Sequence, residues 1–188
     1  MTNPMECHCI PGVSIPHTTP LYDAFIGNFP AVSAFYEHAP TLETVRQAAA
    51  RARLDPEVRR QVVEILRAQN RRFGADASVE AGIDRLASGA LAIVSGQQVG
   101  LFSGPSYTFY KALTALRLAE DLSKAGTPAV AVFWLATEDH DLAEVNHTVW
   151  PTRTGAERME LPVATAMANR RVGDVALGEP VGALVRRA

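Results

Sequence analysis

The sequence predicts an α/β fold: a doubly wound parallel sheet preceded by an N-terminal helical segment. Two apolar runs of strand length, Leu91 to Val94 and Ala129 to Leu135, flank a Gly-rich turn and a stretch with helical periodicity. Strand, turn, helix, strand is a βαβ unit, whose crossover is expected to be right-handed. Composition agrees with a globular domain: 188 residues, 47% hydrophobic and 20% charged, with a net charge of −2. That is too apolar and too nearly neutral for a disordered chain. The longest uninterrupted apolar run, Ala129 to Ala136, falls far short of the roughly 20 residues of a spanning helix. The charge balance gives no electrostatic reason to expect nucleic acid or a membrane as partner.

Residues 1–20 carry four prolines, Pro4, Pro11, Pro16 and Pro20, and no amphipathic period, so they read as an irregular leader. From Tyr22 to about Ser88 the pattern is helical. Asp55-Pro56-Glu57 is a start signal, with an N-cap acid, a proline at the first helical position and a second acid in the first turn. Val58, Val62, Ile65 and Leu66 then mark one face of a helix, and Arg67, Arg71 and Arg72 crowd its end before Gly74. Eight arginines against four acids between Thr41 and Phe73 read as a solvated face rather than a nucleic-acid surface, because they are spread around the helices.

Leu91 to Val94, bounded by Gly89 and Gly96, suits a buried strand. A helix is expected from about Ser106 to Lys124, with Phe109, Leu113 and Leu116 on one apolar stripe and Ala112, Ala115, Ala119 and Leu122 beside it. Gly126 and Pro128 stop it, and Ala129 to Leu135 forms the second strand. Beyond Trp150 only short alternating pieces punctuated by glycines follow. The expected division is a leader (1–20), a core with a helical lead-in (21–150), and the incomplete start of an inserted connective segment (151–188). Two strands are too few for a sheet covered on both faces, so the chain reads as a truncated part of something longer, prone to self-association such as a homodimer.

The cysteines, Cys7 and Cys9, give no disulfide framework, and the N-terminus lacks the pattern of a secretory signal, so a reducing cytoplasm is the expected compartment. Cys7-His8-Cys9 with His17 invites a zinc reading, against which stands the plainer one of free thiols in a tail.

Two constellations could carry chemistry, and both fall beyond the carboxyl ends of the strands, where open α/β sheets bind ligands. The first runs from Ser95 to Lys111. Gly96, Gly100 and Gly104 recur every four residues and permit close backbone approach, and the helix N-terminus after Pro105 favours a phosphate or carboxylate. Thr108 and Lys111 share a helix face and would complete an anion cradle. The spacing is neither a Walker A loop nor a dinucleotide fingerprint. A turn needing its glycines only for packing is the competing reading, against which Gln97 and Gln98 have no evident structural purpose.

The second constellation is Glu138-Asp139-His140-Asp141, followed by Glu144, Asn146 and His147, with no basic residue between Lys124 and Arg153. Carboxylates this close are expected to raise some of one another's pKa values, and His140 beside Asp139 or Asp141 could act as a base with an orienting carboxylate. The same residues allow a metal reading through His140, His147 and an acid, but the spacing fits no established motif and no metal is assigned. The plainest alternative is a solvated acidic loop that caps the next helix.

Together the two blocks carry a resemblance. Ser95-Gly96-Gln97-Gln98-Val99-Gly100-Leu101-Phe102-Ser103-Gly104-Pro105-Ser106-Tyr107-Thr108-Phe109-Tyr110-Lys111-Ala112 resembles the signature of the bacillithiol biosynthesis cysteine-adding enzymes. Val132 to Asp141, with Glu144, Asn146 and His147, resembles the family's second block, and Leu21-Tyr22-Asp23, Asn28-Phe29, Phe35-Tyr36 and Gln69-Asn70-Arg71 extend the likeness upstream. The family pattern usually has Thr where Ser95 and Ser103 stand; both keep a hydroxyl.

The resemblance implies a Rossmann-like core with inserted segments and a C-terminal coiled-coil arm, in a protein considerably longer than this chain. It implies a ligase that joins the cysteine carboxyl to the amine of glucosaminyl-malate. Such amide formation needs activation, most simply by ATP. On that reading Glu138, Asp139, His140, Asp141 and Lys111 are the candidate catalytic residues. Gly96, Gln97, Gln98, Gly104, Tyr107, Thr108, Asn146 and His147 are the candidate substrate- or nucleotide-binding residues, with Gln97 and Gln98 bonding sugar or malate oxygens. Three rivals stay open: a nucleotidyltransferase acting on another small acid, an inactive ligand-binding module, and a metal-dependent hydrolase.

Overall fold

The computed structural model describes residues 11, 14–16, 18–162 and 169–187. The Cys7-His8-Cys9 and His17 grouping lies outside the described residues. The chain divides into two compact units, one ending at Arg51 and one beginning at Ala52.

In the first unit, helix α1 (Pro20–Gly27) starts behind Thr19, whose hydroxyl accepts from the Tyr22 amide. Phe25, Phe29 and Tyr36 then cluster, their ring centroids 4.8–5.8 Å apart. Helix α2 (Leu42–Arg51) closes the unit.

The second unit opens with α3 (Pro56–Arg72), capped as expected: the Asp55 carboxylate accepts from the amides of Glu57 and Val58. Its inward face differs from the expected one. Val63 is buried and Leu66 packs beside it, whereas Val58, Val62 and Ile65 are exposed. The helix is turned because Arg59, one turn before Val63, reaches inward to donate to the carbonyls of Leu86 and Ala90 (2.8 and 3.0 Å). The arginines are correspondingly not all solvated. Arg67 bonds Glu80 and Asp84, and Arg71 bonds Glu80, so α3 is pinned to α4 (Ala77–Ala87).

Strands β1 (Leu91–Gln98) and β2 (Ala129–Ala136) pair in parallel, Leu91 opposite Ala129 through Gln98 opposite Ala136. Helix α5 (Tyr107–Lys124) joins them and packs along both. Val63, Ile83, Leu86, Ala90 and Val130 form one core cluster, so α3 and α4 take the Val130 side of the pair. Strand alternation turns Ala129 and Ala131 the other way, toward α5. The βαβ unit is therefore flanked by helices on both sides, an α/β arrangement of the Rossmann-like kind.

Two expectations need correction here. The stripe of α5 that meets the sheet is Ala115, Ala119 and Leu122, all buried, while Phe109, Leu113 and Leu116 are exposed. Small side chains let the helix axis approach the strands closely, and the bulky stripe is left on the far side. The strands are also not buried along their whole length: Val94, Trp134 and Leu135, toward their carboxyl ends, are exposed. Among the described residues the parallel sheet has no third strand to cover them.

After β2, the short helix α6 (Leu142–Val145) leads into an antiparallel hairpin, β3 (His147–Thr152) with β4 (Gly155–Glu160). Helix α7 (Gly178–Arg187) follows, tied back to β4 by an Arg187–Glu157 ion pair. Met159, Leu161 and Leu184 form a second core cluster, against which Leu101 and Phe102 of the Gly-rich turn pack. The hairpin and α7 thereby hold that turn from outside the parallel sheet.

Candidate functional site

The Gly-rich turn is built by close contact and by unusual backbone angles. Gly96 lies opposite Trp134, where any Cβ would stand 2.9 Å from the Trp134 Cβ and carbonyl oxygen. Gly100 meets Gly104 closely enough that a Cβ on it would lie 2.7 Å from the Gly104 Cα. Phe102, Ser103 and Gly104 are all left-handed, with φ of 50°, 72° and 72°. Two non-glycine residues in that region store strain, which the packing of Leu101 and Phe102 against the second core, and of Phe102 on Trp150, offsets. The packing reading of these glycines thus holds for Gly96 and Gly100.

The acidic block adopts a tight loop. Asp139 accepts from the backbone amides of His140 and Asp141 through one oxygen, and Asp141 caps α6 by accepting from the Glu144 amide. The Asp141-x-x-Glu144 spacing is that of a capping box, so the plain reading of Asp141 as a cap is correct. Glu138 accepts from the Trp134 indole. On the outer side, the amides of Val172 and Gly173 donate to the carbonyls of Asp139 and Thr137 (2.7 and 2.9 Å), fastening the loop to the segment before α7.

Side-chain bonds join the two blocks. Lys111 Nζ donates to Gln97 Oε1 (3.0 Å), Gln97 Nε2 donates to Gln98 Oε1 (3.2 Å), and Gln98 Nε2 donates to Asp139 Oδ2 and Glu144 Oε2 (2.9 and 2.7 Å). At Asp139 these bonds act against the expected direction. The Gln98 carboxamide, helped by the backbone amides of Asp141 and His140, holds the Asp139 carboxyl below its ordinary pKa. Repulsion among the acids is outweighed because donors converge on the charged form of Asp139.

Between the blocks lies a cleft of about 570 Å³. One wall carries Gln97, Gln98, Gly104 and Tyr107 with the start of α5; the other carries Glu144, His147 and Thr148, Val149 and Pro151 of β3. Among the described residues no side chain caps α5, so its positive dipole end is not neutralised by a capping oxygen. The Thr108 hydroxyl, in the first turn, is buried without a hydrogen-bond partner among the described residues. Lys111 lies behind Gln97, 5.8 Å from the Tyr107 ring centroid.

This geometry is the N-terminal Rossmann-like domain of a known family. Residues 5–187 match the family described as "Bacillithiol biosynthesis BshC, N-terminal Rossmann-like domain". The chain belongs to the BshC family. Relatives that carry cysteine ligase BshC as a provisional name include one from Solibacter usitatus, 43% identical over 94% of this chain and 32% of the relative. One from Koribacter versatilis is 43% identical over 76% of this chain and 27% of the relative, and one from Geobacillus thermodenitrificans 41% over 72% and 26%. The chain thus spans about a third of the length of the first of these BshC relatives.

Within this BshC domain the expected site residues separate. Gln97, Gln98, Gly104, Tyr107 and His147 line the cleft. Lys111 and Asp139 stand one side chain behind it, bonded to Gln97 and Gln98. Gly96, Glu138 and Asp141 have the packing, indole-bonding and capping roles described above. Asn146 is buried, holding the Leu161 carbonyl through its side chain and the Leu161 amide through its backbone. His140 is exposed at the loop tip, with no hydrogen bond to its ring among the described residues. Glu144, which has no role of its own among the expected site residues, is a cleft wall residue. The β3 wall was likewise missed, because hairpin residues such as Val149 and Pro151 carry no chemical signature in sequence.

Among the described residues no helix is long and apolar enough to cross a membrane, and no group of three or more His, Cys, Asp or Glu could hold a metal.

Proposed function

We propose that this domain serves a cysteine ligase that completes bacillithiol by joining the cysteine carboxyl to the amine of glucosaminyl-malate. The observation that carries this reading is the polarity of the cleft. One wall ends in the uncapped start of α5, with Lys111 behind it, and the other presents Glu144 beside Asp139. An anionic group suits the first end and an ammonium the second, as joining a carboxylate to an amine requires.

Activation of the carboxylate calls for ATP as co-substrate. Gly104, Tyr107 and the unpartnered Thr108 hydroxyl, with Lys111, are the groups fitted to hold its phosphates. Lys111 offsets negative charge that develops there. The attacking amine must lose a proton, and His140, exposed in the loop next to Asp139, is the proposed acceptor. Cysteine and glucosaminyl-malate are accordingly the proposed partners.

The test is product formation by a protein of the relatives' length that contains this domain. Mass spectrometry should find the cysteine adduct only when cysteine, glucosaminyl-malate and ATP are all present. Folded protein that consumes ATP on another acid, or forms no adduct, refutes the reading.

A further inference from the structure

Gln97 and Gln98 are read from sequence as ligand-binding residues, yet their carboxamides are engaged with the protein itself. The chain of bonds from Lys111 to Gln97 to Gln98 to Asp139 and Glu144 has only one possible direction. An ammonium can only donate, so Gln97 must present its oxygen to Lys111; ionised carboxylates can only accept, so Gln98 must present its nitrogen to them. The middle bond, Gln97 Nε2 to Gln98 Oε1, is then the only arrangement that agrees with both ends. Both protons of the Gln98 amide are used, one on each carboxylate, leaving that nitrogen nothing for a sugar or malate oxygen.

We infer that Gln97 and Gln98 are a positioning pair: a polarised amide relay through which the state of Lys111 sets the orientation of Asp139 and Glu144 across the cleft. Neighbouring bonds in such a chain polarise and align one another, so loss of an early link weakens a later one. Drawing Lys111 away from Gln97 frees the Gln97 carboxamide to rotate. Gln98 then loses the donor that fixes its own orientation, and its hold on both carboxylates weakens. Lys111 and Asp139, 28 residues apart in sequence and each one side chain behind the cleft, are coupled without touching. This inference does not depend on which substrate the cleft takes.

The test reads the relay directly in this chain. Charged neighbours of Asp139 are Glu138, His140, Asp141 and Glu144, together with Arg171 and Asp174 on the segment docked through Val172. Gln97→Met alters none of these charges, and residue 97 does not bond Asp139. Carbon-detected NMR should nevertheless show the Asp139 carboxyl titrating at higher pH in Gln97→Met, and higher still in Gln98→Met. In the unmodified chain, which needs no variant to fold, the side-chain amide resonances of both glutamines should follow the Asp139 midpoint. An Asp139 midpoint unchanged by Gln97→Met, or Gln97 amide resonances blind to Asp139 titration in the unmodified chain, overturns the relay.

Discussion

Gly100 and Gly104 touch backbone to backbone, and the turn between them carries Phe102 and Ser103 in left-handed conformations. Gly100→Ala would drive a methyl into the Gly104 Cα, which has no side chain that could swing aside. Relief requires opening the turn, at an expected cost of about 1–3 kcal/mol. Chemical denaturation should show that loss, with the Phe102–Trp150 contact weakened in near-ultraviolet circular dichroism. A variant as stable as the parent would show the turn to be looser than its contacts.

Arg59 is the side chain that turns α3 away from its sequence-expected face. Arg59→Met keeps much of the stem but removes the side-chain donor of both carbonyls, leaving the Leu86 carbonyl to the Gly89 amide and taking the Arg59 bond from Ala90. The expected loss is about 1–3 kcal/mol, with a lower denaturant midpoint and an unchanged m-value. Arg60→Met is the control, because the Arg60 ion pairs with Glu57 and Glu64 are exposed and should matter little.

Stability should fall on acidification in a defined direction. Asp139 is held below its ordinary pKa by Gln98, and Glu80 by Arg71 and then Arg67. A carboxyl with a lowered folded-state pKa stabilises the fold above its unfolded value, and that contribution disappears as pH drops through the folded value. Melting temperature should therefore be level near neutrality and decline below about pH 4–5, where unfolded carboxyls begin to protonate. Gln98→Met should flatten the part due to Asp139. A profile identical to that of the parent would remove the Gln98 contribution.

Lys111 and His140 make different demands on the proposed reaction. In a protein of the relatives' length, Lys111→Met should cost about 2–4 kcal/mol in substrate binding or turnover, with the fold intact. His140→Asn should reduce turnover by roughly 10²–10⁴-fold and remove the acidic limb of the pH profile. Steady-state kinetics of both variants check this. Full activity in either would take that residue out of the mechanism.

The parts of the fold that depend on short-range signals were legible in the sequence. The Asp55 cap, the strand run from Ala129 and the end of α5 near Lys124 all follow from local residue chemistry. Which face of a helix turns inward was not. Val58, Val62 and Ile65 are as apolar as Val63, and the choice was made by Arg59 reaching carbonyls about 30 residues away in sequence. On α5 a plain count of hydrophobicity favours Phe109 and Leu113, yet close packing on the strands favours Ala115 and Ala119. At the site, both blocks were visible as sequence, as was their place at the carboxyl ends of the strands. The bonds from Gln98 to Asp139 and Glu144 were not visible, since they arise only when β1 and β2 pair in register.

On this reading the Gly-rich turn and the block after β2 form one ligand site. Titrating cysteine, glucosaminyl-malate and ATP separately into the isotope-labelled protein and following its amide resonances tests it most directly. Ligand-induced shifts should appear together at Gln97 to Tyr107 and at Glu144 to Val149, the two walls of the cleft. Saturable shifts confined to one block, or centred elsewhere in the chain, would contradict it.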